Sequence, residues 1–254
     1  MEDATLKKEI REYWDEGAWN YDCHVNHGMK TYGERELWKE AFSVRLPDRP
    51  LDVLDVGCGT GATGLVLSEM GHRVKGIDLS ENMMSIGREK AKECGLSMTF
   101  EIGDAEQTQF EDNTFDVVVN RHLLWTLPHP EKALLDWKRV IKPGGFVIVI
   151  EGCWDNGTLS AKLGREMTYT LEKLFTPKLR KEKYHYIDSV EKALPNMGGV
   201  TQEKAKVYFS SAGLSNIYVH DLSKIQEYQK KELTWYRKIS SSTNRYMISG
   251  IKSE

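Results

Sequence analysis

The run from Leu51 to Gly61, LDVLDVGCGTG, leaves this chain few folds to choose from. A β-branched apolar segment gives way to glycines at 57, 59 and 61, and Ala62 to Leu67 resumes with helical composition. That order predicts a strand, a tight loop and a helix. Alternate glycines let the backbone take positive φ and let a ligand lie against the main chain, beside the free N–H groups of the helix that follows. The loop is built to hold a small molecule. Gly57-x-Gly59-x-x-Ala62 also fits the dinucleotide fingerprint. Asp55, two residues before the first glycine, argues against that ligand, because a carboxylate at the mouth of the loop repels a pyrophosphate and suits an ammonium or sulfonium group.

Val53 to Gly61, VLDVGCGTG, resembles the first motif of class I S-adenosylmethionine (SAM)-dependent methyltransferases, in the small-molecule, UbiE-like branch. The resemblance implies an α/β, Rossmann-like, doubly wound and mostly parallel seven-stranded sheet with helices on both faces. It also implies an N-terminal helical cover, a helical insertion after strand 5, and SAM as cofactor with S-adenosylhomocysteine as product. Asp55, Gly57, Cys58, Gly59 and Gly61 then belong to the cofactor loop. Asp78 ends a short strand, Arg73 to Asp78, 23 residues beyond Asp55, where doubly wound sheets place an acid that accepts from ribose hydroxyls. In the same stretch the resemblance lays Leu79 and Met83 against the adenine. Gly103-Asp104-Ala105-Glu106 resembles the family's adenine-binding turn, in which Asp104 accepts from the adenine amino group and the Ala105 amide donates to a ring nitrogen. Asp104 as a helix N-cap is the competing reading. Tyr13-Trp14-Asp15 through Tyr21-Asp22 resembles the family's covering helix and places Tyr13 and Tyr21 near the methionine end of the cofactor.

Leu6, Ile10, Tyr13, Trp14 and Trp19 form a helical stripe over residues 5–20, and Trp38 to Leu46 a second helix before Pro47 and Pro50. His24 and His27 follow the first helix without a carboxylate or cysteine to complete a metal set. Further helices are expected over 81–94 and 131–140, and strands over 98–102, 114–120 and 146–151. Alternation of this kind gives a parallel sheet by the right-handed crossover rule. Helical stretches at 159–174 and 187–194 frame a basic run, 178–183, read as a solvated face. A helix over 202–212, a strand over 216–221, a helical stretch with Tyr228, Trp235 and Tyr236, and a strand over 245–251 complete the chain. The organisation reads as a cover (1–50), a SAM-binding core (51–151), an acceptor-side insertion (152–200) and completion of the same core (201–254).

Asn120 and Arg121 end the strand before His122, at the sheet edge where open α/β sheets bind ligands, and are assigned to the cofactor side. Arg121, His122, Glu151, Tyr184 and His185 are candidates for the acceptor side, with His122 the first choice of general base. No Asn/Asp-Pro-Pro-aromatic run and no Pro-Cys pair stands there, which excludes the nucleobase chemistries that use them. The 254 residues carry a net charge of −3, with 29% charged and 40% hydrophobic residues. That balance speaks against disorder, a membrane span and a nucleic-acid face, and for a small-molecule acceptor. Residues 1–10 lack the apolar core of a signal peptide, so a cytoplasmic monomer or homodimer is expected. Four scattered cysteines without a C-x-x-C pair form neither a disulfide framework nor a zinc site. The spacing gives no support to a thiol site for arsenic. No metal is expected. Two other functional classes remain open: an NAD-dependent oxidoreductase, and a SAM-binding module without catalysis that works through a partner.

Overall fold

The computed structural model describes residues 2–23, 27–29, 31–154, 186–235 and 244–254, together with 163–164, 166–168, 170–171, 175 and 238. In chain order the elements are α1 (Asp3–Tyr21), α2 (Tyr32–Ser43), β1 (Asp52–Val56), α3 (Ala62–Glu69), β2 (Arg73–Asp78), α4 (Glu81–Glu93), β3 (Thr99–Ile102) and β4 (Phe115–Arg121). They continue with α5 (Pro130–Val140), β5 (Ile141–Cys153), α6 (Asp188–Ala193), α7 (Gln202–Ser211), β6 (Ser215–His220), α8 (Ser223–Glu232) and β7 (Asn244–Ile251). One seven-stranded sheet runs in the order β3-β2-β1-β4-β5-β7-β6. The first five strands are parallel. β7 runs antiparallel between β5 and β6. Among the described residues, no helix is long and apolar enough to cross a membrane.

Central strands are apolar on both faces because both faces are covered. Leu54, Val118, Val147 and Val149 pack with Leu134, Trp137 and Phe209 under α5 and α7. On the opposite face Val53, Val117, Val119 and Ile148 meet Trp38, Phe42, Val66 and Met84 from α2, α3 and α4. A smaller cluster joins Leu6 and Ile10 of α1 to Tyr186, Val190 and Leu194 around α6. The sheet thus has two cores, and α1 hangs over the C-terminal ends of its strands on a third.

Two expectations shift. The second helix covers Tyr32–Ser43 rather than 38–46, because the Thr31 hydroxyl caps it by accepting from the Glu34 amide at 3.2 Å. Gly33 hides this start in the sequence, yet a Cβ there would lie 2.8 Å from the Tyr228 hydroxyl of α8. Its place in the stripe also fails for Trp19, which is 76% exposed and faces away from α1's packed side. The helix expected over 159–174, the basic run 178–183, His24, Tyr184, His185 and Tyr236 lie wholly or largely outside the described residues.

Candidate active site

β1 ends at Val56, and the chain turns through Gly57 at φ 63°. A Cβ on Gly57 would fall 2.6 Å from Leu123, so only glycine lets the loop pass beneath the segment after β4. The turn delivers Asp55 to the start of α3, where its Oδ2 accepts from the Gly64 amide at 2.9 Å. Gly64 has no room for a side chain: a Cβ would meet Met98 at 2.4 Å and the Asp55 carboxylate at 2.9 Å. Asp55 is 1% exposed and has no ion-pair partner among the described residues. Burial pushes its carboxyl up to about 7, against the opposing pull of the Gly64 amide and Arg121.

Asp55 borders a cleft of about 940 Å³, counting its open mouth, at the C-terminal edge of the sheet. Tyr21, Gly57, Cys58, Gly59, Asp78, Leu79, Met83, Gly103, Asp104, Ala105, Arg121 and His122 also line it, so most of the residues singled out in the sequence converge there. At its far end Asp78 accepts from the Gly59 amide through Oδ2 at 2.8 Å and from the Ser80 amide through Oδ1 at 2.9 Å. These bonds hold the carboxylate across the glycine loop, and burial raises its pKa. Trp137 Nε1 donates to the Ala105 carbonyl at 2.8 Å, anchoring the Asp104–Ala105 turn to α5. Asp104 Oδ1 accepts from the Glu106 amide at 2.8 Å, a turn contact rather than a helix cap.

The remaining residues take other positions. Gly61 is the left-handed N-cap residue of α3. Tyr13 meets Trp14 edge to face at 5.1 Å and Tyr186 in a tilted pair at 4.3 Å between ring centroids, behind the wall that Trp14 presents to the cleft. Glu106 is 1% exposed, and its Oε1 accepts from the His129 amide at 2.6 Å. Asn120 is fully buried, with neither amide atom partnered among the described residues.

His122 is a bulky residue at φ 57°, a conformation held by its amide's bond to the Ile150 carbonyl at 2.9 Å. Its Nδ1 lies 3.9 Å from Glu151 Oε2. Burial first, then the charges of Arg121, His27 and Arg245, keep the imidazole well below its ordinary pKa and therefore neutral. Burial also pushes the Glu151 carboxyl up to about 8, although the Leu124 amide donates to its Oε1 at 2.8 Å and other amides of the segment oppose the shift. Asn196 supports this segment from behind, donating to the Leu124 carbonyl and accepting from the Tyr208 hydroxyl. Arg121 donates to the His27 carbonyl.

Sequence reasoning missed Lys7. Its Nζ lies 2.8 Å from Asp104 Oδ2 and 2.6 Å from Glu106 Oε2, so the side chain shares the carboxylate assigned to the adenine. A signal was present: Lys7, Trp14 and Tyr21 recur every seven residues and share the face of α1 that borders the cleft. Asp3, Glu106 and His129 bring possible metal-ligand atoms within 4.8 Å of one another. Lys7 already bonds Glu106, and Asp3 Oδ1 already meets His129 Nε2 at 2.9 Å, so these atoms are engaged with partners within the protein.

A family described as "Methyltransferase domain" matches residues 54–149. Demethylmenaquinone methyltransferase of Bacillus pumilus is 33% identical over 212 residues, covering 79% of this chain and 86% of that protein. The enzyme of the same name from Bacteroides fragilis is 27% identical over 232 residues, 87% of this chain and 90% of that one. Phosphoethanolamine N-methyltransferase 2 of Haemonchus contortus, solved with phosphomonomethylethanolamine and S-adenosylhomocysteine, shares the fold. Its TM-score is 0.66 at 19% identity, over 96% of this chain and 61% of that one. The chain belongs to the class I SAM-dependent methyltransferase family.

Proposed function

We propose that this protein moves the methyl group of SAM to a small-molecule acceptor by in-line displacement, without a metal. The observation that carries the reading is Asp55, a buried carboxylate on the cleft wall with no cation bonded to it, beside a glycine loop and a second carboxylate fixed by backbone amides. That donor and acceptor set fits a cationic nucleoside and opposes a diphosphate. SAM supplies a methyl group on a sulfonium that departs as a neutral thioether.

The chain's own residues align, enclose and deprotonate. Asp78 receives the ribose hydroxyls, with Leu79 and Met83 against the adenine and the Asp104–Ala105 turn at its edge. Gly57, Cys58, Gly59 and Gly61 carry the backbone against which the cofactor lies, and Asp55, Asn120 and Arg121 border its sulfur end. Tyr21 and Trp14 close the cleft from α1, with Tyr13 bracing Trp14 and Glu106 holding Lys7. Residues 1–50 cover the cofactor and 152–200 cover the acceptor, where Tyr184 and His185 are further contacts. His122 is the base: it is neutral, borders the cleft, and has Glu151 close enough to steady the imidazolium once a proton arrives.

The test follows S-adenosylhomocysteine formation with a metabolite panel that begins with demethylmenaquinone and phosphomonomethylethanolamine, the compounds suggested by the relatives' names. We expect turnover of at least one acceptor in the presence of EDTA. His122→Ala should lower kcat by about 10²–10⁴-fold and leave the SAM Kd within about twofold. Equal losses in both would reassign His122 to the cofactor. SAM binding with no transfer to any acceptor would favour the partner-dependent module instead.

A further inference from the structure

Lys7 brings an ammonium group to the end of the cleft where the Asp104–Ala105 turn stands. Leu6 and Ile10, on either side of it in α1, pack with Tyr186, Val190 and Leu194, which holds this part of the helix in place. The Asp104 carboxylate is engaged through both oxygens. Oδ1 accepts from the Glu106 amide at 2.8 Å and Oδ2 from Lys7 Nζ at 2.8 Å. Glu106 Oε2 lies 2.6 Å from the same Nζ, while Glu106 Oε1 is tied to the His129 amide at 2.6 Å. With Trp137 holding the Ala105 carbonyl, the turn and its two carboxylates form a fixed frame around the ammonium.

An ammonium carries three hydrogens and no lone pair. Asp104 and Glu106 account for two of them, and no third acceptor of the chain meets Nζ among the described residues. Burial works against the charge, but the hydrogen bonds to the two carboxylates outweigh it and hold Lys7 above its ordinary pKa. Lys7 is therefore a donor at neutral pH, and because it borders the cleft its remaining hydrogen serves whatever lies against the turn. Adenine carries an amino donor at N6 with acceptor nitrogens on both sides of it, N1 and N7. In the cofactor reading Asp104 accepts from the amino group, and the Ala105 amide, on the same turn, donates to the adjoining nitrogen N1. Lys7 reaches Asp104 Oδ2 from a different element, and the nitrogen left for it is N7.

We infer that Lys7 donates to N7 of the cofactor's adenine, which makes it a specificity residue for the purine ring as well as a tie between α1 and the turn. The inference rests on the methyl-transfer reading, which puts SAM in this cleft, and the test lets the two fail separately. The full chain is titrated calorimetrically with S-adenosylhomocysteine and with its 7-deaza and 1-deaza analogues, in each of which a C–H replaces one ring nitrogen. The wild type should bind the 7-deaza analogue at least tenfold more weakly than S-adenosylhomocysteine, as loss of a charge-assisted hydrogen bond requires. K7M should bind those two ligands within about twofold of each other, K7R should keep part of the discrimination, and the 1-deaza penalty should be the same with and without Lys7. A lysine that only braced α1 would weaken all three ligands by one common factor and leave their ratios unchanged. Because K7M leaves the buried Glu106 carboxylate without its cation, the K7M/E106Q double variant is measured beside it, with E106Q alone, which keeps Lys7 and should keep the discrimination. Equal binding of S-adenosylhomocysteine and its 7-deaza analogue by the wild type would overturn the assignment. So would a 7-deaza penalty that survives the loss of Lys7, or a 1-deaza penalty that disappears with it. A wild-type chain that binds none of the three ligands would instead count against the methyltransferase reading itself.

Discussion

Asp55 sits under two opposed demands. Its burial favours the neutral acid, while in the proposed site a sulfonium beside it would favour the anion, so cofactor binding should release a proton below about pH 7. SAM affinity should therefore hold steady above pH 7 and weaken about tenfold per unit below it. Calorimetry in buffers of different ionisation enthalpy checks both the slope and the proton. Stability runs the other way. The folded-state value lies above that of an unfolded aspartate, so the contribution of this group is complete in acid and is lost as the pH rises through 7; Glu151, at about 8, extends the loss upward. At pH 9, Asp55→Asn should melt higher than the wild type, by roughly 2 kcal/mol of stability, and bind SAM far more weakly. A variant that is both less stable and unaffected in binding would remove Asp55 from its role. At this scale the sequence was legible where a carboxylate stands at the C-terminal end of a strand, as with Asp55 and Asp78. It was mute about Asn196, which meets the Leu124 carbonyl across 72 residues of chain.

Among the elements, α1 ties the cleft together. Lys7 bonds Asp104 and Glu106, Asp15 accepts from the Ser80 hydroxyl at 2.6 Å, and Asp22 meets Thr60 and Lys90 at 2.8 Å each. These contacts join the helix and the residue that follows it to the Asp104–Glu106 turn, to the glycine loop, and to Ser80 and Lys90 at the start and in the body of α4. Lys7→Met leaves the buried Glu106 without its cation, a loss of about 3 kcal/mol, and should speed S-adenosylhomocysteine release about tenfold or more in stopped-flow displacement. An unchanged off-rate would mean that α1 packs without guarding the cleft. The apolar pattern announced this helix but not its working face, because Lys7 and Tyr21, which border the cleft, stand outside the apolar cluster that Leu6 and Ile10 form around α6. The start of α2 was hidden by Gly33, a poor helix former retained for its close contact with Tyr228.

The sheet was readable at the level of the whole molecule because its order follows from local rules: apolar strands, intervening helices and right-handed crossovers place β1 beside β4, with the ligand edge between them. What those rules leave out is the proposed acceptor side, residues 152–200, where the alternation of strands and helices breaks. The central claim is that the cleft beside β1 accepts a cationic thioether nucleoside and rejects a diphosphate. The most direct measurement is a pair of calorimetric titrations at pH 8, SAM against NAD. One SAM should bind per chain with a micromolar Kd while NAD gives no saturable heat; saturable NAD binding, or no heat from SAM, would contradict it.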